Sequence, residues 1–227
     1  MLQNVNGITL YYEKTGEGQP IILLHGNGED HQIFDVLTEQ FKENYSVYAI
    51  DSRGHGQSTR VRELDYRSMA EDIAEFIKIL GLEKPVLYGF SDGGIIGLML
   101  AAAYPELLSK LIISGANLTP EGVKKRYLNL FRLIYYITRN PNYRLMVTQP
   151  QISEAELHKI VVPTLVLAGS KDLIKEEHTR LITESISNCT MQILAGENHM
   201  SYVVHSKKLY PILKSFLSEE DPAKWIS

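Results

Sequence analysis

Gly89-Phe90-Ser91-Asp92-Gly93-Gly94 follows an apolar run at 86–89 and opens a helical pattern at 93–103. A strand that turns sharply into a helix needs small residues on both sides of the turn, because ordinary side chains would collide there. Gly89 and Gly93 supply that space, and Gly94 lets the helix approach the strand closely. A serine at the centre is lifted above the carboxyl edge of a sheet, where open α/β sheets bind their ligands. The N-terminus of the following helix favours negative charge developing beside it. Taken alone, the run also fits a glycine-rich helix start with no chemistry attached.

Outward from this turn the chain alternates. Short apolar runs at 21–24, 47–50, 86–89, 111–114, 163–168 and 190–194 read as strands. Helical patterns fill 31–42, 69–80, 93–103, 175–186 and 206–217, the last despite Pro211. Ile73, Phe76, Ile77 and Leu80 share one face of the second helix, and Gly81 ends it. Residues 2–5 and 8–13 flank Asn6-Gly7, a type I′ hairpin signal. Ile21-Ile22-Leu23-Leu24 has no polar alternation, so both faces of that strand are expected to be covered. The expected fold is α/β: a mostly parallel sheet of about eight strands with helices on both faces. Residues 117–150 break the rhythm, being too long for a simple crossover. They are read as a short helical cap inserted into a core made of residues 1–116 and 151–227.

Composition narrows the function classes. Of 227 residues, 44% are apolar and 22% charged, an ordinary globular balance for one large domain. A net charge of −4 gives no global attraction to nucleic acid or to an anionic membrane. Cys189 is the only cysteine, so no internal disulfide forms. The first residues lack a basic stretch followed by an apolar one. The longest apolar run, 95–104, is far short of the roughly 20 residues that span a bilayer. A cytoplasmic protein without membrane or nucleic-acid partners is expected. The histidines are scattered, and no phosphate-binding glycine loop occurs, so neither a metal nor a cofactor is expected.

A serine hydroxyl is a weak nucleophile and needs a base, which in turn needs an orienting carboxylate. Both candidates lie downstream. Asp172 follows the strand at 163–168, and His199 follows the last strand in Gly196-Glu197-Asn198-His199. Parallel strands would bring both to the edge that carries Ser91. Asp172 could also cap the helix at 175, and His199 could be a surface-loop histidine. Two backbone donors for an oxyanion are expected, from Asp92 and from Asn27 in His25-Gly26-Asn27-Gly28.

These pieces together resemble the α/β-hydrolase superfamily over nearly the whole chain. The matching motifs are Leu23-Leu24-His25-Gly26, Asp51-Ser52-Arg53-Gly54-His55-Gly56-Gln57-Ser58, the turn at Ser91, Pro163-Thr164-Leu165-Val166 leading to Asp172, and residues 196–199. The resemblance implies that the 51–58 loop is structural and that His55 is not the base. Epoxide hydrolases and haloalkane dehalogenases of this fold place aspartate at the centre of the turn, where this chain has Ser91. The run around Ser91, with Gly115-Ala116-Asn117, is similar to the biphenyl-hydrolase-like (valacyclovir-hydrolase-like) subgroup, whose members cleave amino-acid esters. In that subgroup the aspartate beside the nucleophile, here Asp92, is linked to the substrate's amino group. The cap is short for the family, which implies an open site.

Asp92 thus has two readings: an acid that complements the helix start, or a partner for a substrate ammonium. Glu29 and Asp30 add negative charge near the oxyanion loop. The cap carries Lys124, Lys125, Arg126, Arg132, Arg139 and Arg144 against Glu121, a local charge of +5. Those cations either attract an anionic leaving group or form a solvated outer face. The cap helix is apolar nearly all round, which suits a roof over the site on one side and a second subunit on the other. Phe131 and Tyr135 are its candidate substrate contacts. The expectation is a hydrolase of small carboxylic esters working through an acyl-enzyme. A thioesterase, amidase or carbon–carbon bond hydrolase would use the same three residues. A slow-turnover ligand-binding receptor of this fold is the alternative of a different class.

Overall fold

The computed structural model describes residues 1–218. Eight strands form one sheet in the spatial order β1-β2-β4-β3-β5-β6-β7-β8. They are β1 (Leu2–Val5), β2 (Ile8–Thr15), β3 (Gln19–Leu24), β4 (Tyr45–Ile50), β5 (Val86–Phe90), β6 (Lys110–Ser114), β7 (Thr164–Gly169) and β8 (Cys189–Leu194). β2 runs antiparallel to β1 and β4, and every other pairing is parallel. The first turn carries positive φ at both Asn6 (43°) and Gly7 (77°), as a type I′ hairpin requires.

The continuous apolar strands divide their side chains between two cores. In β3, Ile22 and Leu24 enter one apolar cluster while Ile21 and Leu23 enter the other. β5, β6 and β7 split in the same way, because successive residues point to opposite faces. On one face pack α2 (Tyr66–Ile79), α3 (Asp92–Ala103) and α7 (Glu176–Ser185); on the other pack α1 (Asp35–Phe41) and α8 (Leu209–Ser218). The apolar α3 is buried from Asp92 to Ala101, which suits a helix surrounded by protein.

Several boundaries differ from the periodicity, each for a local reason. The pattern at 31–42 divides into a 3-10 turn, His31–Phe34, and α1, because the Asp30 carboxylate caps the tighter turn by accepting from the Gln32 amide. α2 starts at Tyr66 rather than 69, since Asp65 accepts from the Ser68 amide and Tyr66 is itself buried. α8 starts at Leu209 rather than 206, so Pro211 falls in the first turn, where the amide it lacks would have had no intrahelical acceptor. A short helix, α6 (Glu154–Leu157), was not foreseen; a capping box between Ser153 and Glu156 holds it. Of the expected core, residues 219–227 lie outside the described residues.

Between β6 and β7 the chain rises over the carboxyl edge of the sheet. A 3-10 turn (Pro120–Gly122) leads into α4 (Lys125–Thr138) and α5 (Pro141–Thr148). The segment closes at a neck where the Ile152 amide donates to Leu118 O at 2.9 Å. Its base is stitched to the loop after β7 by the bridge Val123–Ile174, with Lys124 N–H donating to Leu173 O and Lys175 N–H to Gly122 O. α4 buries Leu128 but leaves Leu130, Leu133, Tyr136 and Ile137 exposed on its outer side. Among the described residues no helix is long and apolar enough to cross a membrane.

Candidate active site

Ser91 stands between β5 and α3 with φ 52° and ψ −111°, a region that L-residues rarely occupy. A β-carbon at Gly89 would collide with the Gly93 carbonyl, and one at Gly93 would collide with Leu24 O. The turn exists only because both are glycine. The Ser91 amide donates to Ser114 O at 2.7 Å, and the Gly93 amide to His25 O at 3.1 Å, so the turn is pinned to β6 and to the loop after β3.

The three residues separated in sequence meet here. His199 Nε2 lies 3.1 Å from Ser91 Oγ, and His199 Nδ1 lies 2.7 Å from Asp172 Oδ1. A neutral imidazole satisfies both contacts if Nδ1–H donates to the carboxylate and Nε2 accepts from the hydroxyl. Asp172 is buried, and burial alone would raise its pKa. The hydrogen bond and charge of His199, with the Ile174 and Gly169 backbones, outweigh burial and hold the carboxyl below its ordinary value. Asp172 also accepts from the Ile174 amide at 2.9 Å, which shapes the loop ahead of α7; the N-cap of that helix is Lys175, so Asp172 does not cap it. The His199 ring is braced by Phe90, with centroids 5.0 Å apart.

These groups open into a cavity of about 520 Å³ under the cap. Gly26, Asn27, Ser91, Asp92 and His199 line its floor, and Phe131, Tyr143 and Met146 contribute from α4 and α5. Asp92 heads α3, so its amide has no intrahelical acceptor. Its carboxylate is 4% exposed and accepts from Tyr66 Oη at 2.8 Å and from Asn27 Nδ2 at 2.8 Å. Burial raises the Asp92 pKa despite these two hydrogen bonds. Glu29 also lines the cavity, its pKa raised by burial, and its Oε2 accepts from the Gly26 amide at 3.0 Å.

One cap expectation needs correction, and one open alternative is decided. Tyr135 does not line the cavity; it sits one turn beyond Phe131, with the Arg139 guanidinium 5.6 Å from its ring centre. Among the described residues no lysine or arginine lines the cavity, so of the two readings of the cap's cations the structure favours the solvated outer face over a basic cover. Arg132 pairs with Glu121, Arg144 with Glu63, and Lys124 reaches the backbone carbonyl of Asp172. Tyr66, Asn142, Tyr143 and Met146 line the cavity without having been foreseen. Nothing in their spacing marks them, since each faces the site through tertiary placement.

The histidines near the site are fixed by other partners. His25 Nδ1 meets Gly26 O at 2.8 Å, while its Nε2 accepts from the Ser52 amide at 3.0 Å. Burial, then the neighbouring His55, pushes His25 down to about 4, so it stays neutral and structural. Asp30, His31 and Asp51 bring ligand-type atoms within 4.8 Å of one another. Their oxygens already serve the chain: Asp51 Oδ1 accepts from the His31 amide and faces its ring, and Oδ2 accepts from the Gln57 amide. That network holds the 51–58 loop.

Residues 19–150 match the family described as "alpha/beta hydrolase fold". The chain is 28% identical to human serine hydrolase BPHL, over 94% of this chain and 84% of that protein. It is 26% identical to the AB hydrolase superfamily protein YisY of Bacillus subtilis, over 92% and 95% of the two. Among solved structures, an esterase from Exiguobacterium antarcticum superposes with a TM-score of 0.83 at 23% identity, covering 96% of this chain and 98% of the other. The sheet order, the turn at Ser91 and these matches agree, and the chain belongs to the α/β-hydrolase fold family of hydrolases.

Proposed function

We propose that the protein hydrolyses small carboxylic esters through an acyl-enzyme on Ser91. The observation that carries this reading is the unbroken chain Asp172–His199–Ser91, at 2.7 and 3.1 Å, opening into a cavity of substrate size. Ser91 Oγ attacks the ester carbonyl carbon while its proton passes to His199 Nε2. The oxyanion is held by the amides of Asn27 and Asp92. His199 then protonates the departing alkoxide, and water repeats the sequence to release the acid. Asp172 keeps His199 in the required tautomer and stabilises the imidazolium.

The cavity lining supports a cationic substituent on the substrate. Two carboxylates, Glu29 and Asp92, line it with no lysine or arginine among the described residues, and burial raises both pKa values. An ammonium group beside the ester would relieve that uncompensated charge. The resemblance of the run around Ser91 to the biphenyl-hydrolase-like subgroup, whose members cleave amino-acid esters, implies the same.

The test pairs Ser91→Ala with a substrate panel of an α-amino ester, its desamino analogue, an acyl thioester and an anilide. Ser91→Ala is expected to fold normally, to lose turnover and to resist labelling by a fluorophosphonate. Wild-type turnover in that variant rejects the assignment. The wild type is expected to prefer the amino ester, and Asp92→Asn to lose the preference. Fastest turnover of the thioester or anilide would move the reading to those bonds.

A further inference from the structure

The side chain of Asn27 sits where three parts of the molecule meet. Its Nδ2 donates to Asp92 Oδ2 at 2.8 Å and to the backbone oxygen of Asn142, in α5 of the cap, at 3.3 Å. Asp92 Oδ1 accepts from Tyr66 Oη at 2.8 Å, and the Tyr66 amide donates to Gln149 Oε1 at 3.3 Å. Both donors that hold the Asp92 carboxylate are therefore tied to the cap. Burial, and then the charge of Asp92, pushes the Tyr66 phenol far up, so it stays a donor.

The loop that carries Asn27 has little else to fix its tip. Glu29 closes the loop on itself through the Gly26 amide, and the Gly93 amide holds His25 at its base. The Asn27 carboxamide connects the tip to the head of α3 and to the roof. An oxyanion donor is effective only when it is aimed before charge develops. A clamp on the side chain of the donating residue supplies such aim.

We infer that Asn27 is a positioning residue: its carboxamide, clamped between Asp92 and the Asn142 carbonyl, aims its own backbone amide at the oxyanion and ties that aim to the seating of the cap. The inference rests on the acyl-enzyme reading above. Because Asn142 lies in α5, seating the cap holds its carbonyl in place, and the carbonyl holds Asn27. Substrate entering under the cap thus meets a donor that is already oriented.

Asn27→Ala keeps the backbone amide and removes the clamp. Tyr66→Phe removes the other donor to Asp92 and leaves the clamp intact. If Asn27 served only to satisfy a buried carboxylate, the two variants would behave alike. Under the clamp, Asn27→Ala lowers kcat by roughly 10- to 100-fold. It should weaken an alkylboronic acid, a mimic of the tetrahedral state, by a similar factor. KM and inhibition by the product acid should move less than about threefold, and the fall in kcat for Tyr66→Phe, which also alters the cavity wall, should be at least about threefold smaller than that for Asn27→Ala. Equal losses of kcat in the two variants, or a loss in Asn27→Ala confined to KM, overturn the clamp. Ser91→Ala runs alongside: if it remains active, the acyl-enzyme reading itself has failed. If it is inactive while Asn27→Ala keeps wild-type kcat and boronate affinity, the clamp alone has failed.

Discussion

Gly115→Ala perturbs the proposed base, His199, without replacing any residue that lines the cavity. Gly115 follows β6 with φ 64°, and a β-carbon there would lie 2.7 Å from His199 Cε1 and 2.9 Å from Nδ1. Carbon atoms pack at about 3.5–4.0 Å, so the imidazole must recede by roughly 0.8 Å. It cannot do so and keep both contacts, because Asp172 holds one nitrogen at 2.7 Å and Phe90 braces the ring. The 3.1 Å approach to Ser91 is the weaker contact and opens first. Misplacement by about 1 Å is enough to lower a rate by around 100-fold. Alanine at a left-handed position adds about 1–2 kcal/mol of strain, or a fall of roughly 3–6 °C in Tm for a chain of this size. Stopped-flow hydrolysis of a p-nitrophenyl ester gives kcat, and a circular dichroism melt gives Tm. A variant that melts lower but turns over at the wild-type rate would refute the argument that Gly115 makes room for a catalytic His199.

Other outcomes follow from the same geometry. Ser91→Gly should melt roughly 2–4 °C above Ser91→Ala, because glycine relieves a backbone strain of about 1 kcal/mol or more that alanine retains; equal melting temperatures would mean that the turn is not strained. Phe131→Ala should raise KM for a hexanoyl ester about tenfold, the worth of one buried ring face, while Tyr135→Ala stays within about twofold; the reverse order would place the wrong face of α4 over the cavity. The pKa of Glu156 is lowered from 4.5 to about 2, first by the Ser153 amide and, against burial, by Arg67. A depressed carboxylate contributes stability above its unfolded pKa and loses it as pH falls through the folded one. Wild type should therefore exceed Glu156→Gln in Tm by a constant margin from pH 7 to 5 and by a shrinking margin between about 4.5 and 2; a margin that persists below pH 2 counts against the capping box as its source.

The parallel sheet was readable because five of its strands, β3 to β7, carry apolar runs without alternation, and only burial on both faces explains such runs as Ile21-Ile22-Leu23-Leu24. That Ser91, Asp172 and His199 come together was readable because the topology forces the ends of parallel strands to one edge. What pattern cannot convey is which neighbour meets a buried face. Phe131 and Tyr135 are one helical turn apart and alike in sequence, yet only Phe131 of the two lines the cavity. Tyr66 begins a helix by the logic of its Asp65 cap, and nothing local reveals that its hydroxyl ends on Asp92. The short helix α6 was hidden by its four-residue length, which is too brief for periodicity to register.

The hydrogen bond between Ile152 and Leu118 has a meaning for the history of such a protein. It closes the cap at a neck one hydrogen bond wide, outside the register of β6 and β7. Everything between the two residues forms a loop whose ends are already joined, and closure entropy rises only about 0.6 kcal/mol for each doubling of loop length. A roof of another size can be spliced onto that neck without disturbing a strand. Inheritance can therefore conserve the floor, where bonds are broken, while trying one ceiling after another, and the choice of guest can change many times before the chemistry does.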